Sequence, residues 1–145
     1  MREVLENGIQ VLSYLDTTGF DTIPFGLKQK RFRLGDEGDP ARPLLLVTHF
    51  PPGAVLPRHY HGDVFMDAVV AGSSNIDGEW HEAGTVRWFP AKAMYGPVQA
   101  GPQGCVLLEF YTDDAGFSST RDEEALTDEM RAEIARFTQL RRNQP

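Results

Sequence analysis

The chain has 145 residues, 41% hydrophobic and 24% charged, and its 14 Lys and Arg against 21 Asp and Glu leave a formal charge of −7. That length suits one domain with a substantial core, and the acidic balance argues against a nucleic-acid binder and a polybasic membrane patch. No apolar run approaches the roughly 18 residues of a membrane span, and the opening MREVLENGIQ does not read as a secretory signal. A single cysteine, Cys105, excludes an internal disulfide framework and a four-cysteine zinc site, so a reducing, cytoplasmic setting is expected.

In chain order, the polar stretch 35–40 reads as a solvated loop before a series of short β-prone runs at 44–50, 63–71, 75–81, 85–89 and 105–111. The turns between them are marked by Pro51-Pro52-Gly53, Asp77-Gly78, Ala83-Gly84 and Gly101-Pro102-Gln103-Gly104. Short strands at this spacing predict an all-β sandwich or barrel. Asp77-Gly78 is a hairpin signal, since a type I′ turn needs positive φ at both central positions. From Thr127 the pattern changes: Met130, Ile134 and Phe137 recur at helical spacing with Leu140 close to the same stripe. Thr127 reads as the N-cap, Asp128 and Glu129 favour the first turn, and arginines favour the last. The spacing predicts a helix over about 127–141 that closes a barrel mouth or sheet face.

The histidines are His49, His59, His61 and His81. In a strand, His59 and His61 project from one face, at a separation that suits chelation of one metal ion. The run from Gly53 to His61, with Gly72 beyond it, resembles the first motif of the cupin superfamily, and Gly84 followed by Pro90 resembles the second. The motif regions span Gly53 to Gln99. The resemblance implies a single-domain cupin (double-stranded β-helix, jelly-roll) barrel over residues 1–145, with the barrel itself at about 27–111 and the α-helix behind it. It also implies a divalent transition metal, iron first, with zinc, manganese or nickel as alternatives. Within the superfamily the chain looks closest to small metal-dependent cupins of the acetylacetone-cleaving dioxygenase type.

Several positions depart from the motif. The ligand Glu falls on Phe65 or Met66, the third His on Tyr95, the trailing Asn on Gln99, and a usual Gly on Lys92. Asp67 shares strand parity with Phe65 and is the nearest carboxylate. Three readings follow. In the first, a metal is held by His59, His61 and Asp67, with Tyr95 or Gln99 as a further oxygen ligand or a supporting group, and oxygenative cleavage of a small, partly apolar substrate is the leading chemistry. Zinc-type Lewis-acid chemistry fits the same residues. In the second, the metal is lost and the pocket works by acid–base chemistry, with His59 or His61 as base and Tyr95 as hydrogen-bond donor. In the third, the cavity only binds a small molecule. The expected catalytic set is Tyr95, Gln99 and Asp67.

Other residues leave alternatives open. His49 is either a further nitrogen ligand or a buried or interface residue, and His81 reads as exposed and inert. Glu109 either points into the barrel or pairs on its surface, while Cys105 reads as core. Phe65, Met66, Trp88, Phe89 and Tyr95 are candidate pocket walls, of which strand alternation turns half outward. Both parities of 44–47 are apolar, which predicts burial on two sides and a homodimer.

Overall fold

The computed structural model describes residues 2–145. Twelve strands run in chain order: β1 (Arg2–Val4), β2 (Gln10–Leu12), β3 (Asp21–Thr22), β4 (Lys28–Arg33), β5 (Leu44–Phe50), β6 (Val55–Leu56), β7 (His59–His61), β8 (Phe65–Ile76), β9 (Glu79–Glu82), β10 (Val86–Phe89), β11 (Val98–Tyr111) and β12 (Ser119–Arg121). One α-helix among the described residues, α1 (Asp128–Arg142), follows. The main sheet is antiparallel in the order β10-β8-β11-β5-β4-β3, with β6 on β11 and β9 on β8. The pair β7–β12 supplies a separate wall, which brings both histidines to the same cavity as the main sheet. This is the all-β barrel with a C-terminal helix that the strand spacing predicts.

Alternation along the strands sorts the side chains. On β8, Phe65, Asp67 and Val69 are buried while Met66 is exposed; on β10, Phe89 is buried and Val86 and Trp88 are exposed. Met66 and Trp88 therefore leave the list of pocket walls, while Phe65, Phe89 and Tyr95 stay on it. The inner cluster joins Leu44, Leu46 and Phe50 of β5 to Phe65, Val69 and Leu107. The other parity of β5 is covered as well: Leu45 and Val47 pack with Phe32 against Leu12, Tyr14 and Phe20. Two-sided burial of β5 thus comes from this chain's own N-terminal segment. The apolar face left exposed is instead that of Met66, Val86, Trp88 and Phe110.

The Asp77-Gly78 turn forms as read, with φ of 52° and 88°, and it joins β8 to β9. The runs at 63–71 and 75–81 become one long strand plus the start of its hairpin partner. The turn signal at 101–104 does not end a strand. It lies inside β11, where the pairing with β8 shifts between Ala100 and Cys105. α1 is capped by Thr127, whose Oγ1 accepts from the Met130 amide at 3.1 Å, with acids in its first turn and Arg141 and Arg142 in its last. Glu133 accepts from the Phe25 amide at 3.3 Å, which ties the helix to the short turn before β4.

Gly72 sits at the irregularity between the two long strands. Its φ is +68°, and a Cβ there would lie 2.0 Å from the Gly104 carbonyl oxygen. Gly78 shares a positive φ, +88°, but has open space around it. Gly78→Ala should cost about 1 kcal/mol of folding stability through backbone conformation alone. Gly72→Ala adds a backbone clash and should cost about 3 kcal/mol or more. Urea unfolding of the two variants tests this, and equal losses would contradict it.

Candidate functional site: a buried cavity with histidines on one wall and carboxylates on the other

A cavity of about 270 Å³ opens inside the barrel. His59, His61 and Tyr95 line it on one side, Asp67, Arg87 and Glu109 on the other, with Leu46, Phe50, Ile76, Val98 and Leu107 between. Both histidines are buried, at 6% and 4% exposure. Their Nδ1 atoms face backbone carbonyls, Pro57 at 2.7 Å and Phe117 at 2.8 Å. A carbonyl only accepts, so each Nδ1 carries the proton and each Nε2 keeps its lone pair. Burial pushes both imidazoles down, His61 to about 4, so they are neutral at physiological pH.

Tyr95 lies directly across a β-bridge from His59, through two reciprocal backbone bonds of 3.0 Å. Its hydroxyl donates to His59 Nε2 at 2.8 Å. Burial holds the phenol pKa well above its ordinary value, so it remains a donor rather than a phenolate ligand. The position aligned with the family's third His thus does reach the pocket, and its hydroxyl occupies the lone pair that a metal would use on His59.

A cross-strand row forms the opposite wall. Arg87 pairs with Asp67, Asp67 with Glu109, Glu109 with Leu46, and Leu46 with Arg31. Arg87 grips Asp67 in a bidentate ion pair, Nε to Oδ1 at 2.8 Å and Nη2 to Oδ2 at 2.6 Å, with the two side chains 10% and 3% exposed. Its Nη1 donates to Ser74 Oγ at 3.2 Å and to His81 Nδ1 at 3.1 Å. Every polar atom of the guanidinium is therefore used. Burial raises the Asp67 pKa and Arg87 works against that rise, but a bidentate, fully bonded guanidinium favours the carboxylate form.

Glu109, 8% exposed, faces the cavity beside Asp67. Burial pushes its pKa up to about 8, and the charge on Asp67 pushes the same way. Two carboxyls side by side in a shielded site do not both ionise easily, and the one without the arginine holds the proton. Below them Phe89, Phe65 and Tyr111 stack, with centroids 4.3 Å and 5.0 Å apart. The Tyr111 hydroxyl is buried without a well-formed hydrogen bond.

Three sequence expectations change, and for His49 one of the two alternatives is realised. Asp67 faces the interior as its parity predicts, but Arg87 holds both its oxygens, so it does not join His59 and His61. Gln99 is exposed between buried Val98 and Ala100, on the side of β11 away from the cavity. His81 is not inert but accepts from Arg87. His49 lies on the outer side of β5, with Nε2 2.7 Å from the Tyr14 carbonyl and its ring against Phe20. Among the described residues no three His, Cys, Asp or Glu side chains come together in a way that could hold an ion. The donors present supply two imidazole nitrogens and a neutral phenol, which do not fit the four-ligand centre implied by the motif. Cys105 is a core residue whose thiol is pushed up to about 12 by burial, so it is no nucleophile.

The missed residues are Arg87 and, in part, Glu109. The alternation Val86-Arg87-Trp88-Phe89 puts Arg87 on the same face as Phe89, a signal that was present. The pairing of Glu109 with Asp67 needs the register of β8 and β11, which no local pattern carries.

Glu109 and His61 give opposite pH slopes. Between about 4.5 and 8 the folded chain keeps a proton on Glu109 that the unfolded chain has released, so stability falls as pH rises through that window. Between about 4 and 6.5 the unfolded chain gains a proton on His61 that the folded chain refuses, so stability falls as pH drops there. From pH 6.5 to 8 only the Glu109 slope remains of these two, at most about 1.4 kcal/mol per pH unit. Denaturant unfolding at the two ends should show the wild type losing stability and Glu109→Gln losing little. Parallel behaviour of the two proteins would contradict a protonated Glu109.

No protein-family model and no curated protein matches the chain. Solved structures do. Oxalate decarboxylase of Bacillus subtilis is 18% identical with a TM-score of 0.61, covering 89% of this chain and 38% of that one, so this chain spans well under half its length. A cupin-like protein of Thermotoga maritima is 17% identical with a TM-score of 0.56, covering 72% and 80%. A protein of Methylibium petroleiphilum PM1, proposed to be an acetylacetone dioxygenase, is 15% identical with a TM-score of 0.51, covering 70% and 77%. Identities this low speak to the fold alone: this chain folds as a cupin-type barrel.

Proposed function

We propose that this chain is a cupin enzyme that acts on a small, partly apolar carbonyl compound by proton transfer inside the barrel, with Glu109 as the group that takes and returns the proton. The observation that carries this reading is the juxtaposition of Glu109 with the Arg87-bound Asp67 in a cavity whose other wall presents the Tyr95 hydroxyl and the free Nε2 of His61. A carboxyl with a pKa near 8 is a stronger base than an ordinary carboxylate, yet it is still partly ionised at neutral pH. In its ionised form Glu109 takes a proton from the carbon next to the carbonyl. The carbon–hydrogen electron pair becomes a carbon–carbon double bond, and the carbonyl pair moves to oxygen. The Tyr95 hydroxyl turns from His59 to donate to that oxygen, and return of a proton from Glu109 to the carbon restores the carbonyl, exchanging the hydrogen on that carbon. Oxalate decarboxylase is an enzyme on a small oxygenated molecule and the Methylibium protein is proposed to be one, which supports the enzyme reading without naming a reaction.

A second reading keeps a divalent metal, iron first or zinc, manganese or nickel, and with iron the dioxygenase-type cleavage. The observation in its favour is the tautomer of both histidines, with Nδ1 fixed by a carbonyl and Nε2 left to coordinate, the arrangement of metal-ligating imidazoles. His59 and His61 would hold the ion, and it would supply Lewis-acid or dioxygen chemistry. This reading requires Tyr95 to release His59 and a third donor to be freed.

A second copy of the chain is also the proposed partner of the exposed face of Met66, Val86, Trp88 and Phe110. Sedimentation should then read twice the 16.2 kDa of one chain; a monomer at micromolar concentration would refute it.

The function is tested by following deuterium uptake at carbon into a panel of small enolisable carbonyl compounds in heavy water by NMR. The wild type should catalyse exchange on at least one, with a rate that rises from pH 6.5 and levels above about pH 8. Tyr95→Phe should slow it by about a hundredfold, and Glu109→Gln should abolish it. Exchange that survives intact in Glu109→Gln would overturn the assignment.

A further inference from the structure

Three exposed arginines from three separate elements line the cavity, which puts them at its mouth: Arg31 on β4, Arg121 on β12 and Arg141 near the end of α1. In a chain of net charge −7 this is a local reversal of sign. Among the described residues the arginine ion pairs are those of Arg33, Arg58, Arg87, Arg131 and Arg136, so none of the three at the mouth is neutralised by one. The Arg31 guanidinium carbon lies over the Phe117 ring, 4.0 Å from its centroid, a cation–π contact that anchors the side chain at the cavity. Arg31 is also close enough to Arg141 to feel its charge, with only Asp21 and the Arg33-bound Asp114 as acidic neighbours. Arg121 sits opposite His59 in the β7–β12 register, so the cluster borders the histidine wall directly. Holding like charges together at the opening of a partly apolar cavity is unfavourable unless an anion joins them.

We propose that the substrate is a small organic carboxylate, its charge held at the cavity mouth by Arg31, Arg121 and Arg141 and its apolar body lying inward among Leu46, Phe50, Ile76 and Leu107. This rests on the reading of the cavity as the active site and adds the substrate class. The planar fork of a guanidinium matches a carboxylate in two parallel hydrogen bonds. The interior beyond the mouth carries no uncompensated charge, since Arg87 neutralises Asp67, so the apolar end enters and the anionic end stays outside. Arg141 enters the site only because α1 folds back across the opening, which gives the helix a part in binding as well as in covering the barrel.

The test is an NMR titration of the full chain with 4-methyl-2-oxopentanoate, with its methyl ester as the neutral counterpart and with inorganic phosphate. The carboxylate should bind at least about tenfold more tightly than the ester and than phosphate, and its affinity should fall as salt is raised. Arg31→Gln, Arg121→Gln and Arg141→Gln should each weaken the carboxylate by about tenfold and leave the ester unchanged. Glu109→Gln should bind the carboxylate as the wild type does. Intact selectivity with no deuterium exchange would therefore fault the catalytic reading alone. Lack of binding by the carboxylate, equal binding of acid and ester, phosphate binding as tightly, or arginine variants with unchanged affinity would each overturn the anion site.

Discussion

The bidentate ion pair between Arg87 and Asp67 decides what the barrel can hold. A carboxylate buried to 3% exposure is tolerated only with a partner that meets both its oxygens, and Arg87 does so from the adjacent strand. The same guanidinium is anchored by Ser74 and His81, so the pair is fixed on both sides. Two consequences follow from one contact. Asp67 is withdrawn from the histidines, and its negative charge adds to burial in keeping the neighbouring Glu109 carboxyl protonated.

The opposite wall is organised by backbone geometry. His59 and His61 share a face because they are two apart on β7, and β12 holds that strand in place. The carbonyls of Pro57 and Phe117 choose the tautomer, and the bridge between His59 and Tyr95 brings a phenol to the lone pair of His59. Hydrogen-bond donors and acceptors therefore face each other across about 270 Å³, with Leu46, Phe50, Ile76, Val98 and Leu107 between them. Such an arrangement suits moving a proton on a small molecule kept away from bulk water.

Much of the fold was legible in the residues. The period-two alternation of β8 and β10, the Asp77-Gly78 turn, the Thr127 cap and the apolar stripe of α1 are local signals, and each element forms where its signal stands. The His59-Tyr60-His61 step and the alignment of Tyr95 with a ligand position likewise led to one cavity. What local patterns could not carry was register. That Asp67 meets Arg87, that Glu109 meets Asp67, and that Gln99 turns outward all depend on how β8, β10 and β11 slide past one another. The continuity of β11 through 101–104 was hidden for the same reason, because long-range pairing overrode a turn composition. The covering of Leu45 and Val47 by Tyr14 and Phe20 lies further still from any local pattern, since it joins residues about 30 positions apart.

The claim on which the account rests is that the donors left in the cavity are already engaged, the His59 lone pair by Tyr95 and the Asp67 carboxylate by Arg87, so that no metal is held. Metal content is its most direct measure: protein made without a histidine tag, exposed to iron, zinc, manganese and nickel in turn, dialysed, and assayed by elemental analysis. The account predicts well under one ion per chain for every metal. One tightly held ion per chain, lost in the His59→Ala, His61→Ala double variant, would contradict it and restore the metal-centred reading.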